Sequence, residues 1–113
     1  MKLSSEERGP VIILKPKGKI LGGPDATVLK DQLQTFIDRG KTRVVIDLAD
    51  VDYMNSTGLG ILISTLTTLR KANGELKLAN VTEKIQSLLT ITKLVTVFDD
   101  YDNVEEAVAA FPQ

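Results

Sequence analysis

The stretch from Asp47 to Gly60, DLADVDYMNSTGLG, constrains this chain more than any other. It is entered from a β-branched apolar run, Val44, Val45 and Ile46. It is left through a segment in which Leu59, Leu62, Ile63, Leu66 and Leu69 recur at helical spacing. A continuous apolar run suits a strand buried on both faces of a parallel sheet, and the recurrence suits a helix packed on that sheet. The stretch therefore reads as strand, short loop, helix, with Ser56 and Thr57 where the helix begins. A hydroxyl there sits at the end of a rigid strand and faces the free N–H groups and positive dipole end of a helix. Both would accommodate a phosphate. The first expectation is a switch carrying a modifiable hydroxyl.

The rest of the chain extends the same alternation. Residues 1–9 are polar and are expected to be loose. Val11 to Leu14 reads as a short strand, Lys15-Pro16-Lys17-Gly18 as punctuation, and Lys19 to Leu21 as a second strand of a hairpin or bent edge pair. Pro24 and Asp25 open a helix carrying Ala26, Leu29, Leu33, Phe36 and Ile37, and Gly40 stops it. Val44 to Leu48 is a buried strand. A helix from Ser56 to Ala72 closes at Asn73-Gly74, and Leu76 to Ala79 is the next strand. Asn80 and Glu83 resemble a capping box before Ile85, Leu88 and Leu89. Val95 to Phe98 reads as a terminal strand. Asn103 and Glu106 cap a last helix through Val104, Ala107, Val108 and Phe111.

This order predicts an α/β fold in one domain spanning residues 1–113. It has a four- to five-stranded, mostly parallel sheet with an N-terminal antiparallel edge strand and four helices, wound by right-handed crossovers.

Composition removes several function classes. The chain lacks cysteine and histidine, so thiolate metal sites, Cys nucleophiles and His-based triads are excluded. A formal charge of −1 gives no basic surface for nucleic acid or anionic lipid. The N-terminus has no apolar signal segment, and no apolar run is long enough to cross a bilayer. The expectation is a cytoplasmic protein with no membrane and no direct nucleic-acid partner. No nucleophile–base pair or metal-ligand set can be assembled, so the chain is read as no enzyme, with no catalytic residue, cofactor or metal. Asp47 reads as a strand-end residue capping nearby backbone. Asp99, Asp100 and Asp102 read as a solvated turn.

Ser56 has a plain reading and a functional one. As an N-cap it would contribute on the order of 1 kcal/mol; if Asn55 caps instead, Ser56 is freer. Gly58 and Gly60 fall within the first helical turns, where each costs roughly 1 kcal/mol relative to Ala. Such placement implies close approach by a neighbouring strand or by a partner. No charged residue occurs from Tyr53 through Leu69, so the outward face of the helix would be Gly60, Ser64, Thr65, Thr67 and Thr68. An uncharged hydroxyl face suits docking on another protein; it equally suits a helix buried under its neighbours.

Asp47-Leu48, Val51 to Met54 and Asn55-Ser56-Thr57-Gly58-Leu59-Gly60 together resemble the signature of the STAS family, in particular the small bacterial anti-sigma factor antagonists. The resemblance covers nearly the whole chain. It implies that Ser56 is phosphorylated by a partner that is both serine kinase (GHKL type) and anti-sigma factor, with Thr57 the weaker candidate. The unmodified protein would bind that partner and free a sigma factor, and a PP2C-type phosphatase would reverse the modification. The implied partner-binding set is Asn55, Ser56, Thr57, Gly58, Gly60, Ser64, Thr65 and Thr68. The chain departs from the family pattern in having Asn55 where Asp is usual, and Gly18-Lys19-Ile20-Leu21 where carboxylates are common. The alternative is a non-phosphorylated STAS scaffold subunit of a larger assembly, stressosome-like or a lipid-transport complex.

Overall fold

The computed structural model describes residues 1–112. Its elements are β1 (Lys2–Arg8), β2 (Val11–Ile20), α1 (Pro24–Asp38), β3 (Arg43–Asp47), β4 (Val51–Met54), α2 (Ser56–Lys71), β5 (Glu75–Ala79), α3 (Glu83–Ile91), β6 (Asp99–Tyr101) and α4 (Val104–Ala109). The sheet order is β1-β2-β3-β5-β6, with β4 also paired to β2. β1 runs antiparallel to β2, and all other pairs are parallel. The α/β architecture, the antiparallel edge and the four helices match the sequence expectation, but the sheet has six strands.

The two extra strands have clear causes. Residues 2–8 are not loose: they zip onto β2 from Lys2↔Lys17 to Arg8↔Val11, and their mostly exposed, charged side chains suit an edge. The segment from Lys15 to Gly18 does not break the strand. Pro16 pairs with Leu3 on the edge side, and the register shifts between Gly18 and Lys19, so β2 bends without ending. That bend lets one strand serve two neighbours. Val11–Leu14 pairs with β3, and Gly18–Ile20 pairs with β4, a strand within the segment that the sequence pattern presents as loop.

Two boundaries also shift. The strand expected at Val95 to Phe98 lies at Asp99–Tyr101. Lys93 adopts φ 61 after α3, and the chain turns so that Phe98 enters the core, leaving the acidic segment to pair with β5. Here backbone pairing overrides side-chain propensity. The cap of α3 is Thr82, which accepts from the Ile85 N–H at 3.4 Å. Asn80 has φ 55, whereas a cap residue sits in the extended region, so its amide is free to serve elsewhere.

Helices α1, α2 and α3 cover one face of the sheet. Leu29, Leu33 and Phe36, then Leu59, Leu62, Leu66 and Leu69, then Ile85 and Leu89 pack on Ile12, Leu14, Val44, Ile46, Leu76 and Leu78. On the other face Ala107 and Phe111, on and just after α4, meet Val11, Ile13, Val45 and Ala79. The alternation of β2 and β3 thus fills a core on both sides.

Lys77 is the exception on the α4 side, at 6% exposure. Its ammonium lies 5.4 Å from the Tyr101 ring centre and 5.0 Å from that of Phe111, and 3.5 Å from Asp99. It fastens β6 and the end of the chain to β5 through its stem and its charge. Lys77→Ala should cost about 1–3 kcal/mol, read as a lower urea midpoint at unchanged slope.

Candidate functional site

The site is built where β4 hands over to α2. Asn55 sits in extended backbone and its Oδ1 accepts the Gly58 N–H at 2.8 Å. Asn55 is therefore the N-cap, and Ser56 is the first helical residue, exposed and relieved of capping. Of the two readings of Ser56, the structure supports the freer hydroxyl. The first turn of α2 contains no acidic residue, while Arg70 and Lys71 occupy its last turn, so the positive end of the dipole at Ser56 is uncompensated within the helix.

Gly58 explains how the helix comes to start there. A Cβ on Gly58 would stand 2.1 Å from the carbonyl oxygen of Ile20, so the first turn of α2 lies directly on the end of β2. Thr57 is exposed, but its methyl packs over Gly22 in the loop after β2, where a Cβ would meet it at 2.4 Å. Gly60 is different: a Cβ there would meet nothing within 4 Å. Its helical cost has no packing reason inside the chain.

Two grooves flank Ser56. One, of about 220 Å³, runs between α1 and α2 past Ala26, Lys30, Thr57, Gly60, Ser64 and Thr68. The other, of about 480 Å³, lies between the β4–α2 junction and α3 and is lined by Tyr53, Ser56, Lys84, Ser87, Leu88 and Ile91. Ser64 is exposed and Thr68 half-buried, as a docking face requires. Thr65, expected on the outward face, lines the groove between α1 and α2 at only 5% exposure, and its hydroxyl donates to the Ile61 carbonyl at 2.9 Å. Gly58, likewise, is buried against β2 and acts by shaping the site.

The second groove was not anticipated from the residues. Tyr53 and Ile91 are large apolar side chains left exposed, at 46% and 79%, and Leu21 and Val95 are further exposed ones. A sequence signal existed in Ile91, which ends the α3 segment off the stripe of Ile85 and Leu89. Only the docking of α3 beside β4 brings it to Ser56. Lys84 is the one cation lining this groove.

Other acidic groups do not converge. Asp50 pairs with Lys15 at 3.4 Å, and Asp47 accepts the Ala49 N–H at 3.0 Å, the strand-end cap expected of it. Among the described residues no three acidic side chains gather in a way that could hold a metal ion. No helix among them is long and apolar enough to cross a membrane.

A family model described as STAS domain matches residues 2–107. BtrV of Bordetella bronchiseptica, a candidate anti-sigma factor antagonist, is 30% identical over 111 residues, covering 98% of this chain and 95% of that one. The anti-sigma-B factor antagonist of Bacillus subtilis is 39% identical over 74 residues, 66% of this chain and 67% of that one. Among solved structures, an anti-sigma factor antagonist from Mycobacterium paratuberculosis superposes with a TM-score of 0.81 at 24% identity, over 96% of this chain and 92% of that one. The Bacillus cell fate determinant SpoIIAA in its phosphorylated form gives 0.72 at 17% identity, over 96% and 97%.

The glycines make a direct test. Gly58→Ala should destabilise by about 1–3 kcal/mol, because overpacking here meets backbone. Gly60→Ala should stabilise by about 0.5–1 kcal/mol. Asn55→Ala should cost about 0.5–2 kcal/mol and Ser56→Ala a few tenths at most. Chemical denaturation of the four variants reads all of these; equal losses at Asn55 and Ser56 would contradict the capping assignment.

Proposed function

Because the chain belongs to the STAS domain family, we propose that it is an anti-sigma factor antagonist, one that binds a serine kinase/anti-sigma factor when unmodified and is released by phosphorylation of Ser56. The observation that carries this reading is the exposed Ser56 hydroxyl at the first position of α2, relieved of capping by Asn55 and set between two grooves. The names of its relatives support the anti-sigma role. SpoIIAA, which shares the fold, occurs in a phosphorylated and an unphosphorylated form, and that supports reading this scaffold as one that can carry a phosphate.

The mechanism follows from desolvation. In the unmodified protein a partner can cover Tyr53, Leu88 and Ile91 with apolar side chains and bring its backbone close over Gly60. Removing this apolar surface from water drives association. Phosphorylation adds about −1.5 to −2 charges at Ser56. Burying that charge under an apolar partner removes the water that solvates it and offers no donor in its place. In the free protein the same charge is accommodated by water, by the N-terminus of α2 and by the cation of Lys84 across the groove. The modification therefore favours the free state. A PP2C-type phosphatase would restore binding, in the cytoplasm. Thr57 is the lesser acceptor, because its side chain is packed on Gly22.

Asn55 and Leu21, which stand where the family commonly has carboxylates, favour a second reading: a scaffold subunit of a stressosome-like or lipid-transport assembly that binds without phosphate turnover.

Incubation with ATP and the cognate kinase should add one phosphate, located on Ser56 by mass spectrometry; phosphate found only elsewhere would remove the site, and none at all would favour the scaffold. In calorimetric titration with the partner, Ser56→Ala should bind as the wild type does and Ser56→Asp at least about tenfold more weakly, a loss of about 1.4 kcal/mol or more. Gly60→Ala, a more stable protein by the argument above, should bind less well.

A further inference from the structure

A third concavity, of about 410 Å³, lies on the α4 side of the sheet between β1, β3 and the start of α4, and shares no lining residue with the grooves beside Ser56. Its most buried polar group is Asp47, the last residue of β3, at 6% exposure. Asp47 Oδ1 is doubly used: it accepts the Ala49 N–H at 3.0 Å and an Asn80 amide N–H at 2.9 Å. Oδ2 receives no donor from the described residues. None of their polar side-chain atoms is both sealed and unpartnered, so Oδ2 is reached by solvent through the cavity that Asp47 lines.

The cations on the wall of this cavity are committed elsewhere. Arg8 is held by Glu6 at 2.7 Å and Glu105 at 3.5 Å, and Lys15 by Asp50 at 3.4 Å. A deep carboxylate oxygen thus meets water and no counter-charge, and a cation bearing N–H donors could replace that water with charge-assisted bonds. Asn80 reinforces the polarity. It sits at φ 55 with its amide nitrogen spent on Asp47, and its amide oxygen remains as a second acceptor. No three metal-ligating side chains meet among the described residues, which turns the choice from a metal ion to a cation bearing N–H donors.

We propose that this cavity is a binding site for a small organic cation of the guanidinium class, with Asp47 Oδ2 as the charged acceptor and Asn80 beside it. Charge-assisted N–H···O⁻ bonds are about twice as strong as neutral ones, and a planar cation can engage two neighbouring acceptors at once. The site stands independently of any event at Ser56.

The test is an amide NMR titration of the whole protein with methylguanidinium at low salt. Saturable shifts at Ala49 and Asn80 are expected in the wild type, with affinity at least about tenfold lower in Asp47→Asn, which keeps an acceptor for both internal donors but loses the charge. Tetramethylammonium, equally charged but without N–H groups, should produce no saturable shift at these residues. Shifts that fail to saturate, equal affinity in Asp47→Asn, or equal binding of tetramethylammonium would each overturn the proposal. The wild-type titration and the tetramethylammonium comparison decide it even if the variant does not fold.

Discussion

The contact between Gly58 and the Ile20 carbonyl governs the functional end of this molecule. A helix that begins directly on the end of a strand can come this close only if its first turn carries no side chain on that side. The bend in β2 brings Ile20 to that point, β4 pairs alongside it, and α2 then has one way to leave the sheet. Asn55 caps the helix from the extended backbone of the β4 end, and Ser56 has no task within the fold. Its exposure is a consequence of rigid neighbours on both sides.

The surroundings of Ser56 combine two properties. They are concave and partly apolar, with Tyr53 and Ile91 left open, and they hold little charge apart from Lys84 on one side and Lys30 on the other. Apolar concavity favours a protein partner. The near-absence of charge makes the addition of a doubly negative group a large relative change. On the opposite face the same sheet presents a polar hollow around Asp47, where the carboxylates outnumber the cations. One sheet thus separates two surfaces of different chemistry, with α4 covering too little of the second face to close it.

Much of the architecture was legible because local rules agreed with global ones. The apolar run at Val44, the helical stripe from Leu59 to Leu69, the Asn103 cap and the Asn73-Gly74 stop each did what propensity and periodicity require. The failures have separate physical origins. β1 and β6 are polar edge strands, held to the sheet mainly by backbone pairing, and such pairing leaves no periodic apolar trace. β4 is too short to separate from a loop, and Asn80 was diverted from capping by a carboxylate far from it in sequence. Thr65 looked outward by residue type, yet it lies buried at the floor of the groove between α1 and α2.

What the sequence alone determined is the order of strands and helices, the hydroxyl at the head of an uncharged helix, and the family signature around it. Those are properties of neighbouring residues, and periodicity, capping and glycine cost act over a turn or two. What only the tertiary structure decided is which hydroxyl is free, which glycine is needed for packing and which is open, and which distant side chains share a groove with Ser56. The physical reason is that exposure and proximity arise from elements packing across the sheet, and Gly58 and Gly60, identical and two positions apart, differ only in what the fold brings against them.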